Sequence, residues 1–351
     1  MMDDNLIFQP LRSQSEIISS WNGDPDEPLV SIICKTYNHE KYIEHALRGF
    51  LIQETSFPFE VIVHDDASTD DTANIIEQFQ LQYPSIIKPV IQKENLHSRG
   101  LRPGLLNIAK GEFIARCEGD DYWLSKDKLQ QQVYALSKYK DANLCVHPAI
   151  LENAKTGIRK EWFLHGRVER VIPIEEVIER HNQFAPTASY LLRRETNEEM
   201  SKWWNDGTPK PPVGDCFTEA FAGRKGVVYL PNIWSVYRRN VPGSYTCRFR
   251  DTHGSELSSQ LHRIILWTDR LRTFPEIPSL AIDHRIWLVK LNYLVQSVLV
   301  GDRVEFLRIF GDFNYKHERF AWLCFWMISK SKTAFILGRF SMKTLMRFRS
   351  G

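Results

Sequence analysis

The chain has 351 residues, of which 43% are hydrophobic, 25% charged and 12% aromatic, a composition that excludes disorder over most of its length and allows one large domain or two modest ones. A formal net charge of +2, with no Lys/Arg block interleaved with stacking aromatics in the first half, argues against nucleic acid as a partner. Six cysteines (Cys34, Cys117, Cys145, Cys216, Cys247, Cys324) stand far apart with no C-x-x-C pair, which reads as free thiols in a reducing cytoplasm; neither a secretory signal after Met1-Met2-Asp3-Asp4 nor an uninterrupted transmembrane helix is expected.

A polar lead, residues 1–27, ends in Gly23-Asp24-Pro25-Asp26-Glu27-Pro28, and the ordered domain is expected to begin at Pro28. From there strand and helix patterns alternate, as in βαβ units around a largely parallel sheet. Residues 29–34 form the first strand, and Asn38 is placed to cap a helix whose apolar positions Tyr42, Ile43, Ala46, Leu47, Phe50 and Leu51 recur at helical spacing. Residues 59–64 form the second strand. It runs into Asp65-Asp66-Ala67-Ser68-Thr69-Asp70-Asp71, where Ser68 or Thr69 is placed to cap a helix carrying Ile75, Ile76 and Phe79 and closed by Pro84.

A third strand near 86–91 leads through a polar loop, 92–103, to the apolar run Phe113-Ile114-Ala115-Arg116-Cys117. Leu129, Val133 and Leu136 then mark an amphipathic helix, with a strand around 143–146. Beyond about residue 150 the alternation loosens, although 227–230 and 233–237 read as short strands separated by a Pro-Asn turn. The last hundred or so residues carry helical patterns, among them Leu261, Ile264, Ile265, Trp267 and Leu271.

Chemistry concentrates after the fourth strand, in Glu118-Gly119-Asp120-Asp121-Tyr122-Trp123. Ligands of open α/β sheets bind outside the carboxyl ends of the strands, where adjacent carboxylates can hold a divalent cation against a phosphate. No Gly-x-Gly-x-x-Gly follows the first strand and no Walker-type loop occurs, so a dinucleotide oxidoreductase or a P-loop phosphotransferase would lack its phosphate cradle.

Four blocks in order, VSIICKTYNHEKYI (30–43), FEVIVHDDASTDDT (59–72), AKGEFIARCEGDDYW (109–123) and VGDCF (213–217), resemble a family-2 glycosyltransferase over residues 28–250. The resemblance implies an α/β GT-A fold, Rossmann-like, with a mostly parallel sheet flanked by helices and a helical C-terminal region. It implies a nucleotide-sugar-binding half at 28–150, an acceptor-binding half at 151–250 and a helical region at 251–351.

By the same resemblance, Thr36, Tyr37 and Asp66 hold the nucleotide base; a carboxylate accepts from a pyrimidine imide N–H, which suits uridine. The alternative for Asp66 is a cap or Asx-turn, and Asp65 reads as structural. Asp120 falls near the ribose or the metal, and Asp121 matches the direct ligand of a Mn²⁺ or Mg²⁺ bridging the donor phosphates, with Glu118 a weak or outer ligand. Asp215 matches the general base of an inverting transfer, Gly214 and Pro211-Pro212 shaping its loop and Glu219 standing in reserve; a helix cap is the plainer reading of such an Asp.

Asn240 stands where many relatives have a His. That leaves Arg238 or Arg239, or else Arg99 and Arg102, to neutralise phosphate, each having the ordinary alternative of a solvated side chain. Acceptor sugars would stack on aromatics drawn from Trp162, Phe163, Trp203, Trp204, Phe217 and Phe221, with Trp123 and Trp204 the leading candidates.

From Tyr315 onward eight Lys/Arg face one acidic residue, Glu318, among Trp, Phe and Leu; an anionic membrane surface and a helical packing or dimer face account equally for that pattern. The reading is thus a cytoplasmic, metal-dependent inverting glycosyltransferase moving a sugar from a UDP-type donor to a glycan or lipid-linked acceptor, as in bacterial surface polysaccharide synthesis. A sugar-1-phosphate nucleotidyltransferase and a non-catalytic nucleotide- or glycan-binding module are the alternatives, and the oligomeric state stays open.

Overall fold

The structure is a computed structural model that describes residues 5–98, 104–180, 183–244, 248–249, 251–312 and 319–349. In chain order the elements are α1 (Asn5–Phe8), α2 (Gln14–Ser19), β1 (Val30–Thr36), α3 (Ile43–Leu51), β2 (Phe59–Asp65), α4 (Thr72–Gln82), β3 (Ile87–Ile91), β4 (Phe113–Glu118), β5 (Tyr122–Trp123), α5 (Lys128–Lys138), β6 (Leu144–Val146), β7 (Ala149–Asn153), β8 (Arg159–Trp162) and β9 (Arg170–Ile172). They continue with α6 (Ile174–Ile178), β10 (Leu191–Arg193), α7 (Arg194–Trp204), α8 (Asp215–Ala222), β11 (Val227–Tyr229) and β12 (Ser235–Arg239), then the helices α9 (Gly254–Arg270), α10 (Ser279–Val300), α11 (Arg303–Gly311), α12 (Arg319–Ser329) and α13 (Lys332–Arg349).

Two compact units divide the chain. One comprises Met1–Pro173, Phe184–Asp206 and Lys225–Val241; the other comprises Ile174–Gln183, Gly207–Arg224 and Pro242–Gly351, so the expected segment 151–250 is shared between them.

The first unit is built on an eight-stranded sheet in the order β3-β2-β1-β4-β10-β6-β11-β9. The first four strands are parallel, while β10 runs antiparallel to both β4 and β6. β1 and β2 are nearly continuous apolar runs because both of their faces are covered. Ile32, Cys34, Val61, Val63, Ala115 and Cys117 turn to one face, against Leu47, Phe50, Ile76 and Leu129 of the helices. The alternate residues Ile33, Ile62 and Ile114 turn to the other, against Leu105 and Ala109. Burying each such side chain contributes roughly 1.5–3 kcal/mol. A one-residue slip would send every one of them to the wrong face, so the packing fixes the register. That register sets Thr36 opposite Asp65 and Lys35 opposite Glu118, and the ends of three strands therefore form one rim.

A second sheet, β5-β12-β7-β8, lies within the same unit. The expected start of order at Pro28 is too late. Ser13 and Glu16 form a capping box on α2, Ile17 is buried in the main core, and Ile7 packs with Tyr122, Leu124 and Val236. The expected caps also shift. α3 begins at Ile43, so Asn38 lies outside it in the left-handed region, and α4 begins at Thr72, whose N–H and hydroxyl both reach Asp70 rather than Ser68 or Thr69.

In the second unit Arg285 of α10 is buried and donates to the carbonyls of Ile178 and Arg180, tying α10 to the end of α6. Gly301 ends α10 in the left-handed conformation and Asp302 caps α11 through Glu305 N–H. Among the described residues no helix is long and apolar enough to cross a membrane, and Cys34, Cys117, Cys145, Cys216 and Cys324 are all free thiols.

Candidate functional site

The turns after β1 and β2 are locked to one another by side chains that accept from backbone N–H groups. Asn38 donates its N–H to Ser68 Oγ (2.8 Å) and accepts from Thr69 N–H (2.8 Å); His39 N–H donates to Thr72 Oγ1 (2.8 Å) and Glu40 N–H to Asp70 (3.1 Å). Asn38 and Ala67 sit at φ 55° and 62°, in the left-handed region that Asn visits routinely and that costs a residue such as Ala about 1–2 kcal/mol. Asp65 is buried and accepts from the Ser68 N–H and hydroxyl, the structural role expected for it.

Asp66 is bound at both oxygens, by Leu96 N–H (2.7 Å) and His97 N–H (3.0 Å), while its own carbonyl accepts from Asn95 Nδ2. In this structure it staples the loop after β3 to the rim, leaving only its remaining lone pairs for a base. Tyr37, by contrast, is 44% exposed, with a ring face open to stacking. Arg99 and Arg102 lie outside the described residues.

Between β4 and β5 the chain makes a tight acidic turn. Gly119 N–H donates to Lys35 O (2.8 Å) and Asp121 N–H to Glu118 O (3.0 Å). A Cβ at position 119 would fall 2.5 Å from Thr36 Oγ1 and 3.0 Å from His39 Nδ1, so only glycine lets the turn lie this close to β1. Asp121 is 2% exposed, and its Oδ1 accepts from Arg238 N–H (2.7 Å). Burial, reinforced by the neighbouring Asp120 charge, raises its carboxyl well above the usual range.

Arg238 does not turn toward an open phosphate position, as the expectation for it required. It is 6% exposed and directed inward: Nε binds Glu152 (3.0 Å), Nη1 binds the Asp120 carbonyl (2.8 Å), Nη2 meets His45 Nδ1 (2.7 Å), and the guanidinium lies 4.4 Å from the Tyr122 ring centroid. Desolvated and fully engaged, it braces the acidic turn from behind.

His39 is a rim residue that the sequence reading passed over. Its Nε2 stands 4.0 Å from Asp120 Oδ2, its buried Nδ1 has no protein partner, and burial lowers its pKa against the opposing pull of Asp120. Thr36 Oγ1 is likewise buried without a partner. The signal was its place in the Thr36-Tyr37-Asn38-His39 turn, one residue past those singled out.

Among the described residues no group of three or more His, Cys, Asp or Glu could hold a metal ion by itself. The acidic turn fits one nonetheless. Asp121 and Asp120 place hard oxygens at the rim, and the Asp121 carboxyl is raised by burial and then by the Asp120 charge, which the Arg238 guanidinium and N–H only partly offset.

In the second unit Asp215 is the first residue of α8, after Gly214, where the helix N-terminus favours an ionised carboxylate. Glu219, the reserve candidate, is buried in that helix, as are Phe217 and Phe221.

The aromatic candidates sort by burial. Trp123 is completely buried, donates Nε1–H to Ala188 O (2.7 Å) and packs on Phe50, so it belongs to the core rather than to an acceptor floor; Trp204 is buried too. Trp162, Phe163 and Trp203 are the half-buried ones.

Residues 31–240 match the family described as Glycosyl transferase family 2. The uncharacterized protein Rv1520 of Mycobacterium tuberculosis is 32% identical over 246 residues, spanning 67% of this chain and 68% of that protein. TuaG of Bacillus subtilis, whose assignment as a teichuronic acid biosynthesis glycosyltransferase is provisional, is 38% identical over 108 residues, 30% of this chain and 41% of its own. The crystal structure of S. aureus TarS 1–349 in complex with UDP-GlcNAc is similar in fold, with a TM-score of 0.62 at 16% identity and 91% of each chain covered.

Proposed function

The chain belongs to glycosyl transferase family 2, and on that premise we propose that it transfers a sugar from a UDP-linked donor, with inversion, to a hydroxyl of a glycan or lipid-linked glycan in bacterial surface polysaccharide synthesis. The observation that carries this reading is the rim itself. Parallel strands β1, β2 and β4 end level, and the turn after β4 sets Gly119 against Thr36 and Asp120 beside His39, with Asp121 next in the turn, where a nucleoside diphosphate would lie. UDP-GlcNAc in TarS and teichuronic acid for TuaG support the donor and acceptor classes.

Tyr37 would stack on the base, beside the segment that Asp66 fixes through Leu96 and His97. Mn²⁺ or Mg²⁺ held by Asp121, with Asp120 alongside, would supply positive charge for the departing diphosphate. Asp215 would accept the proton from the acceptor hydroxyl as it attacks the anomeric carbon from the face opposite the diphosphate. A lipid-linked acceptor agrees with the exposed Trp326, Met327, Ile336 and Leu337 near the α12–α13 turn, between which Lys330 and Lys332 are also exposed; these would rest on an anionic membrane at the cytoplasmic face.

Thermal-shift titration with a panel of nucleotide sugars, with and without Mn²⁺, tests the reading, since a ligand of the native state stabilises it by mass action. A UDP-sugar should raise Tm only with the cation, and Asp121→Ala should abolish the shift. No response to any nucleotide sugar, or an undiminished one in Asp121→Ala, refutes it.

A further inference from the structure

The second sheet carries cations that the proposed transfer chemistry leaves unused. Strand register puts Tyr237 and Arg239 of β12, Leu151 and Asn153 of β7, and Lys160 and Trp162 of β8 on one face. Arg238, Glu152 and Glu161 alternate to the opposite face, and there Glu152 is consumed by Arg238 and Arg159. On the first face the Arg239 guanidinium lies 5.0 Å from the Trp162 ring centroid and the Lys160 ammonium 4.9 Å from the same ring. Phe163 stands edge-on to both Trp162 (5.9 Å) and Tyr237 (6.2 Å), held in a left-handed conformation at φ 61°.

Two like charges on one indole repel each other, and among the described residues no carboxylate pairs with either. Arg239 Nε is buried without a hydrogen-bond partner. Four other arginines of this unit are differently placed: Arg48, Arg159, Arg194 and Arg238 each meet an acidic side chain. Half-buried aromatic rings offer stacking surface to the C–H face of a sugar, and the paired cations beside them call for an anion. This face starts one residue beyond Arg238, whose N–H holds Asp121, so it borders the acidic turn.

Resting on the glycosyltransferase reading, we propose that Trp162, Phe163 and Tyr237 with Arg239 and Lys160 form an acceptor subsite that selects a sugar bearing a phosphate or carboxylate group. The sugar stacks on the aromatic rings, and the Arg239–Lys160 pair binds its anion.

The full chain labelled with 5-fluorotryptophan tests this by ¹⁹F NMR, the Trp162 resonance being identified with Trp162→Phe. Glucose 6-phosphate and glucuronate serve as anionic probes, and glucose as the neutral one. The Trp162 resonance should shift saturably with an anionic probe, at least tenfold more weakly with glucose, and at least tenfold more weakly in Arg239→Gln and in the exposed-site variant Lys160→Gln. No shift, or equal response to glucose, overturns the subsite. If excess UDP with Mn²⁺ displaces the probe, the cations serve the donor diphosphate and the acceptor assignment falls. An intact Trp162 response in a protein that binds no nucleotide sugar supports the anion site and sinks the transferase reading instead.

Discussion

Lys128 is completely buried under the sheet, its ammonium 3.8 Å from the Trp123 ring centroid and bonded to Gln132 Oε1 (2.7 Å), with no carboxylate partner among the described residues. The groups around it are the Cys117 and Cys145 thiols, which burial raises, Cys145 to about 12, and His147, which burial holds well below its usual range; all three are neutral near pH 8. Desolvation pushes the lysine from 10.5 down to about 7. Between those values the unfolded chain holds a proton that the folded chain has released, so raising the pH favours the folded state by up to about 1.4 kcal/mol per pH unit. Below pH 7 both states are protonated and the full cost, about 5 kcal/mol, is present. Lys128→Met, similar in volume and without a charge, removes this dependence. Urea unfolding of both proteins at pH 7, 8 and 9 measures it, because titrations common to the two cancel in the difference. From pH 7 to 9 the wild type should gain about 2 kcal/mol on the variant, roughly 0.7 M in midpoint at a slope of about 3 kcal/mol/M. Parallel profiles would show that the ammonium is not desolvated as described and would refute the reasoning.

Gly119→Ala should drive a methyl into Thr36 and His39, lower stability by about 1–3 kcal/mol and weaken UDP-sugar binding at least tenfold by calorimetry; unchanged affinity would show that the close approach does not matter. Asp66→Asn leaves only one acceptor oxygen for two backbone donors. The Leu96 and His97 amides should lose hydrogen-exchange protection, by about tenfold or more for a bond worth roughly 1–3 kcal/mol, and equal protection counts against the staple. Asp215→Asn should abolish sugar transfer while leaving the donor Kd within a factor of about two, since it removes a proton acceptor used only in the transition state; transfer at the wild-type rate would exclude it as the base.

The parallel half of the large sheet was legible because its strands are buried on both faces and so spell out as apolar runs that end in polar turns: 29–34, 59–64 and 113–117. β10 was not, since three residues with half-buried Arg193 at the end carry no periodicity, yet they reverse the sheet between β4 and β6. α2 hid inside a polar stretch because Ile17 alone supplies its core contact. In the site, Asp121 and the Gly119 turn followed from the chain order. The direction in which Arg238 points did not, for an arginine on a strand alternates to one face or the other, and only the register with β7 reveals that Glu152 waits on its side. The same alternation turns Arg239 away from it, so adjacent arginines that read alike in the sequence have opposite fates.

Phosphate cradles usually present free backbone N–H groups, and this rim has spent many of its own on side chains of the protein. Asp66 takes those of Leu96 and His97, Asp65 that of Ser68, Asp70 those of Glu40 and Thr72, and Asp121 that of Arg238. Such bonds fix the geometry of the turns without any Gly-rich loop, and they leave the rim negative. Arg238, which binds the Asp120 carbonyl, faces inward, and Lys35 lies in register with Glu118. On the reading proposed, a divalent cation at Asp121 would supply counter-charge at this acidic turn, while Arg239 of β12 and Lys160 of β8, on the sheet face away from Glu152, would read a different anion.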